Sequence, residues 1–265
     1  MNILDTIVEY KREEVRRRKI EVSIADLEKR EFFGRKTLSL REFLLNDEKT
    51  GIIAEFKRKS PSKGIINDKA DVLEVTKGYT DHGASCLSVL TDEHFFGGSD
   101  ADLIKARVNT IPILRKDFII DEYQVTEAKS IGADVILLIA ACLTAAEVKR
   151  LASFAKTLGL EVLLELHDEN ELSHICDETE IIGINNRNLK TFVVDIERSL
   201  QMAEKIPAGK IKIAESGISS PENIILFKEN GFDGFLIGEN FMKEANPTIA
   251  FARFVEQLKQ KQHEN

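Results

Sequence analysis

Six short stretches place charged or amide side chains where an apolar run ought to continue. They are Glu55, Lys57, Arg58 and Lys59 after GIIA, Arg115, Lys116 and Asp117 after IPIL, and Glu165 inside LLEL. The others are Asn185 and Arg187 in GINNRNL, Glu215 in IAESG and Glu239 in LIGEN. A carboxylate inside an aliphatic run is costly unless it is paired or performs chemistry. Lysines and glutamates brought together supply donors and acceptors for proton transfer, and the cations suit an anionic substrate. Gly217 and Gly238 each follow an apolar run and precede a helical segment, where free backbone N–H groups can hold a phosphate. Each stretch also has a plainer reading: a surface ion pair for Glu55 and Lys57, a purely structural pair for Glu165, an ordinary turn for either glycine. Their concentration at the ends of apolar runs argues against coincidence.

Those runs must position the charges. Eight recur: 51–56, 84–90, 111–114, 133–140, 161–166, 181–185, 211–214 and 233–238, all short and rich in large aliphatic or β-branched residues. Between them lie helical patterns. One ends at Gly83, others at Gly132 and Gly159, and another runs from Ser220 and Pro221 to Gly231. Strand-then-helix units imply parallel strands joined by right-handed crossovers, and continuous apolar strands imply cover on both faces. Eight such units predict an α/β fold, a closed (β/α)8 TIM barrel, rather than an open doubly wound sheet. The first run leads into KRKSPSKG and no G-x-G-x-x-G follows it, which also disfavours a dinucleotide-binding fold. Residues 1–50 read as a helical N-terminal extension packed on the barrel, and 1–265 as a single barrel domain.

Composition narrows the function classes. The chain has 265 residues, 31% charged and 43% hydrophobic, with net charge −8, so a broad nucleic-acid or anionic-membrane surface is not expected. The basic stretch KREEVRRRK (11–19) has helical spacing with interspersed glutamates and reads as a solvated helix face. No stretch approaches the length of a membrane helix, and no signal pattern follows Met1. Cys86, Cys142 and Cys176 read as reduced, buried thiols of a cytoplasmic protein. The histidines lack metal-ligand spacing, so no metal is expected.

Alternation puts Ile53, Glu55 and Lys57 on one face of the first strand and Ala54, Phe56 and Arg58 on the other; this strand alone does not say which faces inward. AEFKRKSPS (54–62), PILRKDFI (112–119), LLELHDENEL (163–172), GINNRNL (183–189), IAESGI (213–218) and FLIG (235–238) together resemble the indole-3-glycerol-phosphate synthase family of tryptophan biosynthesis. The likeness covers nearly the whole chain from about residue 50, in the family's order, and weakly includes the extension. It implies closure of the indole ring of 1-(2-carboxyphenylamino)-1-deoxyribulose 5-phosphate with loss of carbon dioxide and water, without metal or organic cofactor.

The resemblance also implies roles. Lys116 corresponds to the general acid and Glu165 to the general base in the loss of water. Glu55 and Lys57 correspond to an active-site pair, with Lys57 near the substrate carboxylate or acting as a second acid; either lysine can give the first proton. Asn185 and Arg187 would orient the substrate, Ser60 and Glu215 would complete the pocket, and Ser216, Gly217 and Gly238 would hold the phosphate, with Leu236 beside them. Glu239 departs from expectation, since a small hydroxyl residue suits that place and a carboxylate repels phosphate. The nearest rival is a class I aldolase on the same fold, with Lys57 or Lys116 forming a Schiff base; a catalytically silent binding barrel is a third reading. The expected partner is a small phosphorylated substrate, with transient contact to other enzymes of tryptophan synthesis possible on the same resemblance.

Overall fold

The apolar runs become eight parallel strands: β1 (Ile52–Phe56), β2 (Cys86–Leu90), β3 (Ile113–Lys116), β4 (Val135–Ile139), β5 (Glu161–Leu166), β6 (Ile181–Asn185), β7 (Ile211–Glu215) and β8 (Gly234–Ile237). This is a computed structural model describing residues 3–188 and 193–264; Leu189, the last residue of GINNRNL, lies outside them. The strands close into a barrel in chain order, with β8 pairing β1 through Ile53↔Leu236 and Ala54↔Ile237. The third strand departs most from expectation. It is displaced to Ile113–Lys116 because Val89↔Arg115 and Leu90↔Lys116 extend the ladder with β2 through charged residues.

Along each strand, side chains alternate between two cores. Ile53, Leu114, Leu137, Leu163, Ile213 and Leu236 fill the barrel interior. Ala54, Phe56, Val89, Ile136, Leu164 and Phe235 pack outward beneath the helices. This settles the face of the first strand. Glu55 and Lys57 continue the inner row begun by Ile53, while Phe56 faces out with the Arg58 guanidinium 4.6 Å above its ring. Arg58 also donates both terminal nitrogens to Asp102, tying the strand's outer end to a neighbouring helix.

The crossovers follow local signals. Helix Val72–Asp81 stops before Gly83, whose φ of +94° is a left-handed value that favours glycine. Helix Pro221–Glu229 starts at the cap Ser220 with proline in its first turn. The fifth crossover differs from the pattern: a 3₁₀ turn, Glu169–His174, stands where the strand–helix alternation predicts an α-helix.

Residues before β1 close both ends of the barrel. Helix α1 (Ile3–Glu21) crosses the carboxyl ends of the strands. At the amino ends Leu40 and Leu44 enter the interior core, and Glu161 accepts the backbone N–H groups of Leu40 and Arg41. The reading of 11–19 as a solvated face is corrected here. Lys11 is 1% exposed and Glu14 and Val15 are buried, because one side of α1 lies on the loops after β2 and β3. Lys11 Nζ meets Glu14, Asp92 and Asp117 at 2.8–2.9 Å, and Arg18 reaches Asp100 and Glu127 at 2.9 Å. Of the three free cysteines only Cys86 is fully buried; Cys142 and Cys176 lie beyond a strand and a turn and are partly buried. Among the described residues no helix is long and apolar enough to cross a membrane.

Candidate active site

A cavity of about 300 Å³ opens at the carboxyl ends of the strands. Five strands deliver to it residues that continue their inner rows: Glu55 and, just past the strand end, Lys57 from β1, Lys116 from β3, Glu165 from β5, Asn185 from β6 and Glu215 from β7. Parallel pairing sets their heights, with Glu165 level with Gly183 and Asn185 level with Glu215.

Two ion clusters result. Lys57 Nζ lies 2.8 Å from Glu55 Oε1, and Ser88 Oγ donates to Glu55 Oε2 at 3.0 Å. Burial alone raises the Glu55 carboxyl, but Lys57, Lys116 and the Ser88 hydroxyl outweigh it and hold the group below its ordinary value. Across the cavity Lys116 Nζ lies 3.4 Å from Glu165 Oε2 and 4.0 Å from Glu215 Oε2. Asn185 Nδ2 donates to Glu165 Oε1 at 3.1 Å. Burial alone lowers the Lys116 ammonium; the carboxylates of Glu165, Glu55 and Glu215 reverse that and keep it charged well above the ordinary lysine value.

The two facing carboxyls divide their roles. Glu165 gains from Lys116, His167 and Asn185, which overcome burial and hold it well below its ordinary value. Glu215 is pushed well above its ordinary value by burial and then by the Glu165 charge. Of the two, Glu165 is the carboxyl that gives up its proton readily and Glu215 the one that holds it. Its Oε1 is buried without a hydrogen-bond donor of its own. Gly183 makes room for it, because a Cβ on residue 183 would overlap Glu215 Oε1. Gly183→Ala is therefore expected to lose about 1–3 kcal/mol of stability from overpacking and to displace Glu215. Denaturant unfolding and turnover check this, and a variant equal to the parent in both would show that the site relaxes freely.

The opposite wall is built from loops. Ser216 has φ of +69°, rare for a residue with a side chain, followed by Gly217 at +72°. Asn186 holds this turn by donating to the Ser216 carbonyl at 2.7 Å, and a Cβ on residue 217 would overlap Val194. Gly238 closes on Glu55, with its added Cβ only 2.7 Å from Oε1. Ser60 and Leu236 also line the cavity. Arg187, held by its backbone N–H to Asn185 Oδ1 at 3.0 Å, reaches Glu239 at 3.5 Å, and Lys63 meets the same carboxylate at 3.5 Å. Glu239 therefore spans two loops rather than turning away from the mouth, and its charge is offset by two cations.

The structure thus brings every residue given a role in the site to one cavity; the other charges of the same stretches turn elsewhere, Arg58 to Asp102, Lys59 to the His94 carbonyl, Arg115 to Glu127 and Asp100, and Asp117 to Lys11. It adds others. Ile3, Leu4 and Ile7 of α1, with Phe96, Phe118 and Ile139, supply an apolar wall; the i, i+4 spacing of Ile3 and Ile7 was the available signal. His167 also lines it, on the same face as Glu165 by strand alternation.

The model of the family described as indole-3-glycerol phosphate synthase matches residues 4–254. Curated relatives bearing that description include one from Bacteroides thetaiotaomicron, 46% identical over 97% of this chain and 99% of its own. One from Bordetella pertussis is 46% identical over 80% and 81%. Among solved structures, the tryptophan synthase α-subunit of Pyrococcus furiosus superposes with a TM-score of 0.61 at 15% identity, covering 80% of this chain and 99% of that one, which is likeness of fold alone. Identity near one half across almost the full length of both proteins is a likeness of another order. By that measure this chain belongs to the indole-3-glycerol phosphate synthase family.

Proposed function

We propose that the family's decarboxylating ring closure runs between the two ion clusters, with Lys116 as general acid and Glu165 as general base. The observation that carries this assignment is the Lys116–Glu165 contact at 3.4 Å, a donor and an acceptor from different strands facing one space. The ring carbon bearing the carboxylate attacks the ketone, and the carbonyl electron pair passes to oxygen, which takes a proton from the Lys116 ammonium. The carboxylate then leaves as carbon dioxide and its bonding pair restores the aromatic ring. The new hydroxyl finally departs as water with a second donated proton, while Glu165 accepts one from the substrate. The balance is one proton consumed, as loss of a carboxylate requires.

Lys57, paired with Glu55, is placed to receive the substrate carboxylate or to supply the second proton. Asn185 and Arg187 orient the chain of the sugar, Ser60 and Glu215 complete the pocket, and Leu236 packs beside it. Backbone groups around Ser216, Gly217 and Gly238 would take the phosphate. Glu239 favours this more than its charge suggests, since Arg187 and Lys63 already offset it. A Schiff-base aldolase needs a lysine that sheds its proton readily; the carboxyl groups around Lys116, Glu165 foremost, act in the opposite direction.

The test is indole formation from the carboxyphenylamino-deoxyribulose phosphate. Glu165→Gln is expected to lower kcat by about 10²–10⁴-fold with the fold retained. A near-parental rate would remove Glu165 from the mechanism, and a lysine adduct trapped by borohydride would favour the aldolase. The same reading makes the chain a single barrel unit in which residues 1–50 are integral, supported by the buried charges of α1. It is a cytoplasmic enzyme of a small phosphorylated substrate, open to transient contact with other enzymes of tryptophan synthesis.

A further inference from the structure

We propose that His167 is a positioning residue for the dehydration step, holding the Glu165 carboxylate so that one oxygen stays directed at Lys116 and the substrate. His167 lies one residue past the end of β5, is 6% exposed, and borders the cavity. Its Nε2 is 2.9 Å from Glu165 Oε1. The same oxygen accepts from Asn185 at 3.1 Å, which leaves Oε2 to Lys116 at 3.4 Å. Asn185 and Lys116 belong to the recognisable motifs; the imidazole completes the grip on the carboxylate.

The ring is otherwise unusual. Both nitrogens are buried, yet neither has a well-aligned hydrogen bond within the protein. A buried polar group left this way costs free energy, so packing alone does not account for a histidine where a phenylalanine or leucine would fill the wall. The nearest charges to it are Glu165 on one side and Glu171 on the other, with Lys116 beyond Glu165. Glu171 Oε2 accepts the His167 backbone N–H at 2.6 Å and lies 4.0 Å from Nδ1. Glu171 is itself fixed, as the third residue of the 3₁₀ turn capped by Asp168. A chain of contacts therefore runs from that turn through the imidazole to the base, and in the tautomer with its proton on Nε2 the ring donates toward Glu165.

The inference rests on Glu165 being the dehydration base. Misplacing such a group by about 1 Å costs on the order of 10²-fold in rate. His167→Phe is therefore expected to lower kcat by about 10–100-fold, with KM within about twofold, since His167 acts through the base and not on the phosphate. His167→Gln, whose amide nitrogen falls near the Nε2 position, should recover most of the rate; His167→Asn, one carbon shorter, should not. In a single turnover the Phe and Asn variants should release carbon dioxide before the indole absorbance appears, because decarboxylation precedes loss of water.

If His167→Phe does not fold, the Gln and Asn pair carries the same comparison. Carbon dioxide and indole appearing together in the slow variants, a parental kcat in Phe or Asn, or a Gln variant as slow as Asn would each overturn the proposal. Glu165→Gln serves as the control. If it turns over normally, the base assignment itself has failed. If it is inactive while the His167 variants are parental, only the positioning role has.

Discussion

Lys116→Ala is expected to lower kcat for indole formation by about 10²–10⁴-fold, the range general acids supply, while the barrel remains folded. The side chain stands at the mouth, 18% exposed, so its removal leaves no closed cavity in the core. Three carboxyl groups lose their shared cation at once. Glu165 owes its low proton affinity first to overcoming burial with Lys116, so in the variant its carboxyl must rise. The acid limb of any residual activity should move to higher pH than in the parent, where this carboxyl sits well below its ordinary value of 4.5. Lys116→Arg separates charge from proton donation. It keeps the cation beside Glu165 and Glu215 but holds its proton more tightly, so turnover should stay low while the acid limb returns toward the parental position. Steady-state rates across pH, with thermal melts of all three proteins, provide the measurement. A parental rate in Lys116→Ala would transfer the first proton to Lys57, whose contact with Glu55 at 2.8 Å makes it the other candidate donor.

The barrel was legible because burial on both faces writes each strand as an aliphatic run, and the runs recur with helical patterns between them. The inner face was not legible from β1 alone. Ile53 and Ala54 are equally apolar, and only the separation of the two cores distinguishes them. Charges at the strand ends stood out because polar residues interrupt strong apolar patterns there. The same contrast failed in two places. Lys11 and Glu14 sit in a helix already rich in lysine, arginine and glutamate, where i, i+3 and i, i+4 pairs are normal on a solvated surface. Nothing in that spacing reveals that Asp92 and Asp117, some eighty and a hundred residues away, turn one side of the helix into a buried face. His167 was hidden for the opposite reason: directly after LLEL, among Asp168, Glu169 and Asn170, it reads as the first residue of an ordinary polar turn.

The buried face of α1 carries the largest expected effect on stability. Lys11→Met keeps most of the aliphatic stem and removes the ammonium from Glu14, Asp92 and Asp117, of which the two aspartates are essentially inaccessible to water. Breaking a buried pair by deleting one partner costs about 3–5 kcal/mol, because the remaining charge is left unpaired. Arg18 at 2.8 Å still serves Glu14, and Arg115 at 3.5 Å still faces Asp117, so the loss should fall chiefly on Asp92 and partly on Asp117. The pH dependence has a definite sign. In the parent Lys11 overcomes burial to depress the Asp117 carboxyl, whose stabilisation is complete above its ordinary value of 3.8 and lost only as pH falls through the lower folded value. Lys11 is raised in turn; its share is complete below the ordinary 10.5 and lost as pH rises through the folded value. The deficit of Lys11→Met should thus be greatest between those limits and shrink in acid, where the orphaned carboxylates are protonated in the variant before the parent. Denaturant unfolding at pH 7 and at pH 3, below the lower limit, measures it. Adding Asp92→Asn should restore part of the loss, a non-additivity expected only if the lysine and the aspartate share one interaction. A variant within about 1 kcal/mol of the parent, in the range of an exposed pair, would mean that water replaces the ammonium. Because Ile3, Leu4 and Ile7 of the same helix wall the cavity, faster amide exchange along α1 and a raised KM should accompany the loss of stability. Those two changes would tie the extension's buried charges to substrate binding as well as to the fold.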